Sequence, residues 1–336
     1  MYRGHTIGVV VPAYNEEGFV GEVIETMPDY VDRIYVVDDQ STDGTWDEIL
    51  EHAQQKEQRP TPKPRQLADG GQAFDRRVVP IRHDENRGVG GAIKTGYRRA
   101  LRDRVDVTAV MGGDGQMDPD LLDDIIDPVV EGDADYAKGN RLHSREYRRA
   151  MPRGRFVGNV LLSFLTKVAS GYWKTMDPQN GYTAISSEAL DAIELDEMYE
   201  YYGYCNDLLV KLNRAGLRVA DVPMPAVYGD EESSIAYSEY IPKVSGMLLR
   251  NFLWRLNTKY LVLDFHPLAL FYYVGAMLAG FGVLGLAVAG VQAATGGAAL
   301  GVLGLGAELL MGSVAFLLFA MVFDMRQNEH LEVAAE

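Results

Sequence analysis

Asp114 and Gln116 stand two residues apart in Asp114-Gly115-Gln116-Met117-Asp118-Pro119. A carboxylate and a carboxamide both present oxygen. Mg²⁺ or Mn²⁺ takes that donor from a protein when phosphates fill its other positions. An ordinary loop acid is the competing reading of Asp114. Asp38, Asp39 and Asp43 form a second acidic cluster. Helix capping accounts for Asp43, with Ser41 or Thr42 as the N-cap. It leaves Asp38 and Asp39 unexplained at the end of an apolar run, where a carboxylate can accept hydrogen bonds from a base or a ribose. Asn86-Arg87-Gly88-Val89-Gly90-Gly91-Ala92 is a glycine-rich turn that opens a helix and can let backbone approach a ligand. It fails as a dinucleotide fingerprint, because Ile93 stands where the third glycine belongs and the loop follows the third strand. Gly139-Asn140-Arg141 is a further polar group, at the end of a later apolar run.

These groups need a scaffold that gathers them. Short apolar runs at Thr6–Pro12, Arg33–Val37, Val78–Arg82 and Val107–Met111, with a fifth starting at Asp135–Lys138, read as strands. Helical patterns at Gly18–Met27, Thr45–Gln55, Gly90–Arg102 and Pro119–Glu131 separate them, the last opened by Asp118 with Pro119 at its first position. The alternation predicts an α/β domain with a mostly parallel sheet covered on both faces. Every polar cluster falls at a strand's carboxyl end, the edge where such sheets bind ligands. The proline- and glycine-rich stretch from Gln54 to Arg77 reads as a surface insertion.

The chain has 336 residues with 48 Asp+Glu against 32 Lys+Arg, a formal net charge of −16. That balance argues against a nucleic-acid partner. The single cysteine, Cys205, excludes an internal disulfide and a cysteine-rich metal site. The charge is unevenly placed. Leu268 to Val291 holds none in 24 residues, and Ala298 to Phe323 holds one, Glu308, in 26. Roughly 20 apolar residues cross the ~30 Å hydrocarbon layer, so both runs read as membrane passes rather than as a buried core hairpin. Their glycines and alanines suit close helix packing, and with Glu308 they suit association with further copies. Arg250, Arg255 and Lys259 precede the pair and Arg326 follows it, which places both termini in the cytoplasm. Tyr240 to Leu263 has apolar residues at helical spacing among Lys243, Arg250, Arg255 and Lys259. It reads as an amphipathic segment in the headgroup layer, with a domain-core helix as the alternative. The expected organisation is a catalytic-type domain at 1–237, the amphipathic segment at 238–265, two membrane helices at 266–325 and a cytoplasmic tail at 326–336.

Together the segments resemble glycosyltransferase family 2 enzymes of the Rossmann-like GT-A fold, and within them the polyprenyl-phosphate (dolichyl-phosphate) sugar synthases. The resemblance runs from about residue 6 to 235. It rests on Pro12-Ala13-Tyr14-Asn15-Glu16-Glu17, Val36-Val37-Asp38-Asp39-Gln40-Ser41-Thr42-Asp43-Gly44-Thr45, Asn86-Arg87-Gly88, Asp114-Gly115-Gln116, Gly139-Asn140-Arg141 and Asp177-Pro178-Gln179-Asn180-Gly181-Tyr182. It implies that Pro12, Tyr14, Glu16, Val37, Asp39 and Gly113 bind the nucleotide sugar. Asp114 and Gln116 would hold a divalent metal, Mg²⁺ or Mn²⁺. Arg141, Arg155 and Asn159 would meet the acceptor phosphate, the arginines through planar forks suited to phosphate oxygens, with ion pairing to the abundant carboxylates as the alternative for both. Asp114, Arg141 and Asp207 would carry catalysis. Two departures stand out. Gly112 occupies the place of the family's first metal-motif aspartate, and Tyr228–Ile235 lacks the usual arginine and lysine.

The implied reaction moves a hexose from a nucleotide-diphosphate sugar, of the GDP-mannose or UDP-glucose class, to a polyprenyl monophosphate. A phosphate monoester is already anionic near neutral pH, so it needs no base, only cations that let two anions meet. In-line attack would invert the anomeric centre. A non-catalytic membrane scaffold and a transferase for a non-lipid acceptor are the competing readings.

Overall fold

The computed structural model describes residues 1–58, 74–142, 153–225 and 237–334. The chain divides into two compact units, Met1–Leu249 with His330–Glu336, and Arg250–Glu329.

The first unit is built on eight strands: β1 (Ile7–Ala13), β2 (Arg33–Asp38), β3 (Val78–Arg82), β4 (Val107–Val110), β5 (Tyr136–Asn140), β6 (Thr183–Ser186), β7 (Val219–Pro223) and β8 (Glu332–Ala334). They lie side by side in the order β3-β2-β1-β4-β6-β5-β7-β8. Valine and isoleucine fill β1 and β2, and almost every residue in them is buried, as befits central strands covered on both faces. β1 to β4 are mutually parallel. β6 runs antiparallel between β4 and β5, and β5, β7 and β8 are parallel to one another. The sheet is therefore mostly parallel, as the alternation predicts.

Helices α1 (Val20–Thr26), α2 (Thr45–Gln58), α3 (Val89–Asp103) and α4 (Leu122–Val130) begin within three residues of their expected starts. α4 is preceded by a short turn with Pro119 at its first position, and the Asp118 carboxylate accepts from Asp120 N. α3 turns Ile93, Tyr97 and Ala100 inward, where they pack with Val10 and Tyr35. α4 turns Leu122, Ile125 and Ile126 into a separate cluster with Val9 and Val11. Successive β1 side chains thus feed opposite cores, the period-two alternation of a strand. Among the described residues, the α-helices α5 (Arg153–Ser170), α6 (Ser187–Ala192) and α7 (Tyr204–Arg214) follow, and then α8 (Tyr237–Asn257), which runs on into the second unit.

In the second unit, α8 ends in a wider π-helical stretch, Thr258–Leu263, followed by α9 (Leu268–Ala294) and α10 (Leu300–Asn328). α9 and α10 are long and apolar enough to cross a membrane. They touch where side chains are smallest. A Cβ on Gly306 would lie 3.1 Å from the Gly282 carbonyl, and one on Gly285 would lie 3.2 Å from the Gly306 Cα. Ser313 Oγ donates to the Gly275 carbonyl across the pair at 2.8 Å. Their outer faces are apolar and open, with Phe281, Leu284, Leu300, Met311 and Phe319 all more than half exposed.

Two expectations change here. Arg255, read as a headgroup-facing cation, is wholly buried and pairs with Asp324 at 2.8 Å; Tyr260 and Asn328 hydrogen-bond to the same carboxylate. A cation in register with an acid 69 residues later was invisible to a local reading. Residues 326–336, expected as a tail, continue α10 to Asn328 and then supply β8, which pairs with β7.

Candidate active site

The pairing register brings the polar clusters to one edge. Ala13 lies opposite Asp38, and Asp38 opposite Arg82. Val110 lies opposite Thr183, and Thr183 opposite Lys138. The loops after β1, β2, β3, β4 and β5, with the segment entering β6, therefore share the carboxyl edge.

The loops after β1 and β2 are laced together. Asp39 N donates to the Ala13 carbonyl, Asn15 N to Ser41 Oγ and Thr42 N to Asn15 Oδ1, each at 2.9 Å. Asn15 sits at φ 57°, a left-handed conformation that asparagine tolerates. Glu16 N donates to Thr45 Oγ1 at 2.7 Å. Tyr14 is exposed, and Pro12 and Glu16 are partly so. Val37, expected at the nucleotide sugar, is wholly buried in the sheet. Asp43 precedes α2, and its carboxylate, rather than Ser41 or Thr42, caps the helix by accepting from Thr45 N at 3.1 Å.

The two adjacent aspartates differ in role. Asp38 is wholly buried; it accepts from Ser41 N at 3.0 Å and pairs with Arg82 Nε at 3.0 Å. Its expected place against a ligand is thus corrected to a strut between β2 and β3. Asp39 Oδ1 accepts from His83 Nδ1 at 2.7 Å and from Arg87 N at 2.9 Å. His83 Nε2 lies 2.9 Å from Thr95 Oγ1, so the ring is held at both nitrogens. His83 was missed in the sequence because nothing local links it to a residue 44 positions away.

The glycine turn also has a different use. A Cβ on Gly88 would meet the Glu200 carbonyl at 2.7 Å, and one on Gly90 the Tyr199 carbonyl at 2.4 Å. Gly91 N donates to the Glu200 carbonyl. The close approach is to the chain's own backbone at 199–200, not to a ligand. Glu200 receives both Arg87 and Lys94, and these cations hold its carboxyl below the ordinary value against the opposing pull of burial.

After β4, Gly113 is buried and donates its N–H to the Pro12 carbonyl at 3.0 Å. Asp114 is partly exposed, and its Oδ1 accepts from Gln116 N at 3.1 Å. A Cβ on Gly112 would sit 2.9 Å from that same Oδ1. Among the described residues no three acids, histidines or cysteines converge on a metal-sized point. One accessible carboxylate with a neighbouring carboxamide suits a hard cation that takes most of its ligands from a diphosphate.

After β5, Arg141 closes on Asp177. Its backbone N, Nε and Nη2 donate to that carboxylate at 3.1, 2.7 and 3.0 Å. Burial pushes the Asp177 carboxyl up, but the Arg141 hydrogen bonds and charge, with Lys138, hold it below the ordinary aspartate value. The ion-pair reading of Arg141 is therefore present in the structure. The bidentate carboxylate fixes the plane of the guanidinium. Lys138 and Asp221 lie beneath, 2.8 Å apart in neighbouring strands. Their signal was a charge inside an otherwise buried strand.

Asn159 is buried on α5; the Arg155 side chain and the segment containing Tyr228–Ile235 lie outside the described residues. Asp207, expected to face an acceptor, is wholly buried in α7. Its carboxylate accepts from Tyr199 N at 2.9 Å and lies 3.1 Å from Lys211 Nζ. It shapes the turn before α7 and offers no open acid.

Comparison with known proteins agrees with this fold. The profile of glycosyl transferase family 2 matches residues 8–194. The chain is 30% identical over 223 residues to a UDP-N-acetylglucosamine–dolichyl-phosphate N-acetylglucosaminyltransferase of Methanococcus voltae, covering 66% of this chain and 86% of the relative. It is 28% identical over 221 residues to an undecaprenyl-phosphate mannosyltransferase of Micrococcus luteus, covering 65% and 82%. Glucosyl-3-phosphoglycerate synthase of Mycobacterium tuberculosis, solved with Mn²⁺, uridine diphosphate and glucosyl-3-phosphoglycerate, superposes with a TM-score of 0.51 at 21% identity over 75% of this chain and 80% of that one. That last likeness speaks to the fold, and the GT-A arrangement implied by the sequence motifs is the one observed. The chain belongs to glycosyltransferase family 2, as a glycosyltransferase whose named relatives include polyprenyl-phosphate sugar transferases.

Proposed function

We propose that this enzyme transfers a hexose from a nucleotide-diphosphate sugar to a polyprenyl monophosphate at the cytoplasmic face of the cell membrane, with inversion and with a divalent cation. The observation that carries the reading is the joining, in one chain, of a strand-end site bearing Asp114 and Arg141 to two helices with open apolar faces. A polyprenyl tail stays in the bilayer, and so does a chain anchored by such helices. The names of the Methanococcus and Micrococcus relatives support the same acceptor class.

In this reading the nucleoside lies along Pro12, Tyr14, Glu16, Asp39 and Gly113, with His83 fixing the Asp39 carboxylate. Asp114, assisted by Gln116, holds Mg²⁺ or Mn²⁺, which neutralises charge developing on the leaving diphosphate. Mn²⁺ in the Mycobacterium complex supports a metal of this kind. Arg141, oriented by Asp177, receives the acceptor phosphate, aided by Arg155 and, at the end of the same helix turn, Asn159. No base is required, because the nucleophile arrives as an anion. Buried Asp207 shapes the site and performs no proton transfer.

Lys243, Arg250, Lys259 and Arg326 flank the helical pair and favour the cytoplasmic side. Glu308 is exposed on α10, eight residues into an apolar run. A charge there is costly unless shared, which favours packing against a second copy. The test is to incubate membranes containing the enzyme with radiolabelled GDP-mannose, UDP-glucose and UDP-N-acetylglucosamine plus a polyprenyl monophosphate. Label entering the organic phase is expected with one donor. Label in none overturns the acceptor assignment.

A further inference from the structure

The segment ahead of β6 is held by its backbone at every residue from 173 to 177. Trp173 N donates to Glu332 Oε1 at 3.0 Å, and Lys174 N and Thr175 N both donate to Glu332 Oε2, the latter at 2.9 Å. Met176 N donates to Asp221 Oδ2 at 2.6 Å. The carbonyls of Met176 and Asp177 accept from Lys138 Nζ. The chain then reaches Asp177 at φ 48°, a left-handed conformation that costs a non-glycine residue about 1 kcal/mol or more and persists only where the surroundings impose it. From that position Asp177 receives three hydrogen bonds from Arg141.

Glu332 is the first residue of β8, in register with Val219 of β7, while Asp221 lies opposite Ala334. Two acids on adjacent strands thus bind four consecutive amides. Bonds from an amide to a carboxylate are charge-assisted and strong, and three on one carboxylate form a clamp rather than an incidental contact. Among the described residues Glu332 hydrogen-bonds to the backbone between Arg141 and Asp177 rather than to either side chain. A strand that follows both apolar helices therefore contributes directly to the loop behind the acceptor arginine.

We infer that Glu332 is a positioning residue for the transfer: it fixes the 173–176 backbone, which sets Asp177, which sets the Arg141 guanidinium. The inference rests on the reading that Arg141 receives the acceptor phosphate. It assigns to the last strand a part in acceptor use that a simple edge-strand cap would not have.

The full-length Glu332→Ala and Glu332→Gln variants in detergent test it by two readouts. The first is amide hydrogen exchange. Protection at Trp173, Lys174 and Thr175 should fall at least tenfold in Glu332→Ala, and protection at the Arg141 amide should fall with it. The second is kinetic. KM for farnesyl phosphate should rise about tenfold while the Kd values of UDP and GDP stay within twofold, with Glu332→Gln intermediate because one acceptor oxygen remains. Loss of protection at 173–175 with an unchanged Arg141 amide overturns the inference, as does an unchanged KM or an equal loss of nucleotide affinity. If Glu332→Ala does not fold, Glu332→Gln is read by the same criteria. If the wild-type enzyme uses no polyprenyl phosphate, the acceptor assignment falls, and the Arg141 amide alone decides whether the clamp acts on that arginine.

Discussion

Gly112 leaves open the space into which the Asp114 carboxylate folds, with Oδ1 2.9 Å from where a Cβ on residue 112 would stand. The departure from the family's usual aspartate is therefore coupled to the position of the acid that remains. Asp114→Ala is expected to lower kcat by about 10²–10³-fold, the size of losing one electrostatic stabiliser of the transition state. A chelator should act similarly on the wild type. Gly112→Ala should raise the metal concentration for half-maximal activity, since the Asp114 carboxylate must shift. Metal titrations of initial rate check both; full activity in excess chelator would discard the metal.

His83→Ala leaves Asp39 without its imidazole donor. A hydrogen bond to a charged group contributes ~1.5–3 kcal/mol, so nucleotide-sugar affinity should weaken tenfold or more. KM for the lipid phosphate should not move. Calorimetric titration with UDP and GDP distinguishes this from a general loss of fold.

Asp177 gives a pH signature. Its carboxyl lies below the ordinary aspartate value in the folded chain, so its ionised form stabilises the fold above the unfolded pKa of about 3.8. That contribution is lost as pH falls further, through the folded value. Relative to wild type, Asp177→Asn should show a constant deficit in Tm from pH 7 to about 5, shrinking below pH 4. Thermal melts of both proteins across that range provide the check, and a deficit that grows on acidification would contradict the pairing.

Arg255 and Asp324 are both wholly buried. Removing one partner strands the other, at a cost of about 3–5 kcal/mol, whereas replacing both with apolar residues of similar size is close to neutral. Arg255→Met and Asp324→Leu should each lower the melting temperature in detergent sharply, and the double variant should recover most of the loss. Additive losses in the double variant would mean the pair is not coupled.

The parts of the molecule governed by local pattern were legible in its sequence. β1 and β2 announced themselves as short apolar runs rich in valine and isoleucine, and α3 and α4 as helical patterns. Asp118-Pro119 marked a helix start because capping acts within three residues. The carboxyl-edge placement of Asp39, Asp114 and Arg141 followed from the alternation alone. Pairings across long separations were not legible: Arg255 with Asp324, His83 with Asp39, Glu332 with the 173–175 amides. β6 and β8 are three or four residues long and draw their definition from neighbouring strands, so no periodicity could mark them. Gly88 and Gly90 carried a true signal of close approach, but only the fold could say that the approaching group was the chain's own backbone.

Strand β8 carries one more implication. Residues 332–334 hydrogen-bond into the same sheet as β1, yet they come after both apolar helices in the chain. Any lipid layer that the chain enters after α8 it must also leave on the side from which it came. The count of crossings is thereby even, two or none, and a single traverse would sever the enzyme from its own final strand.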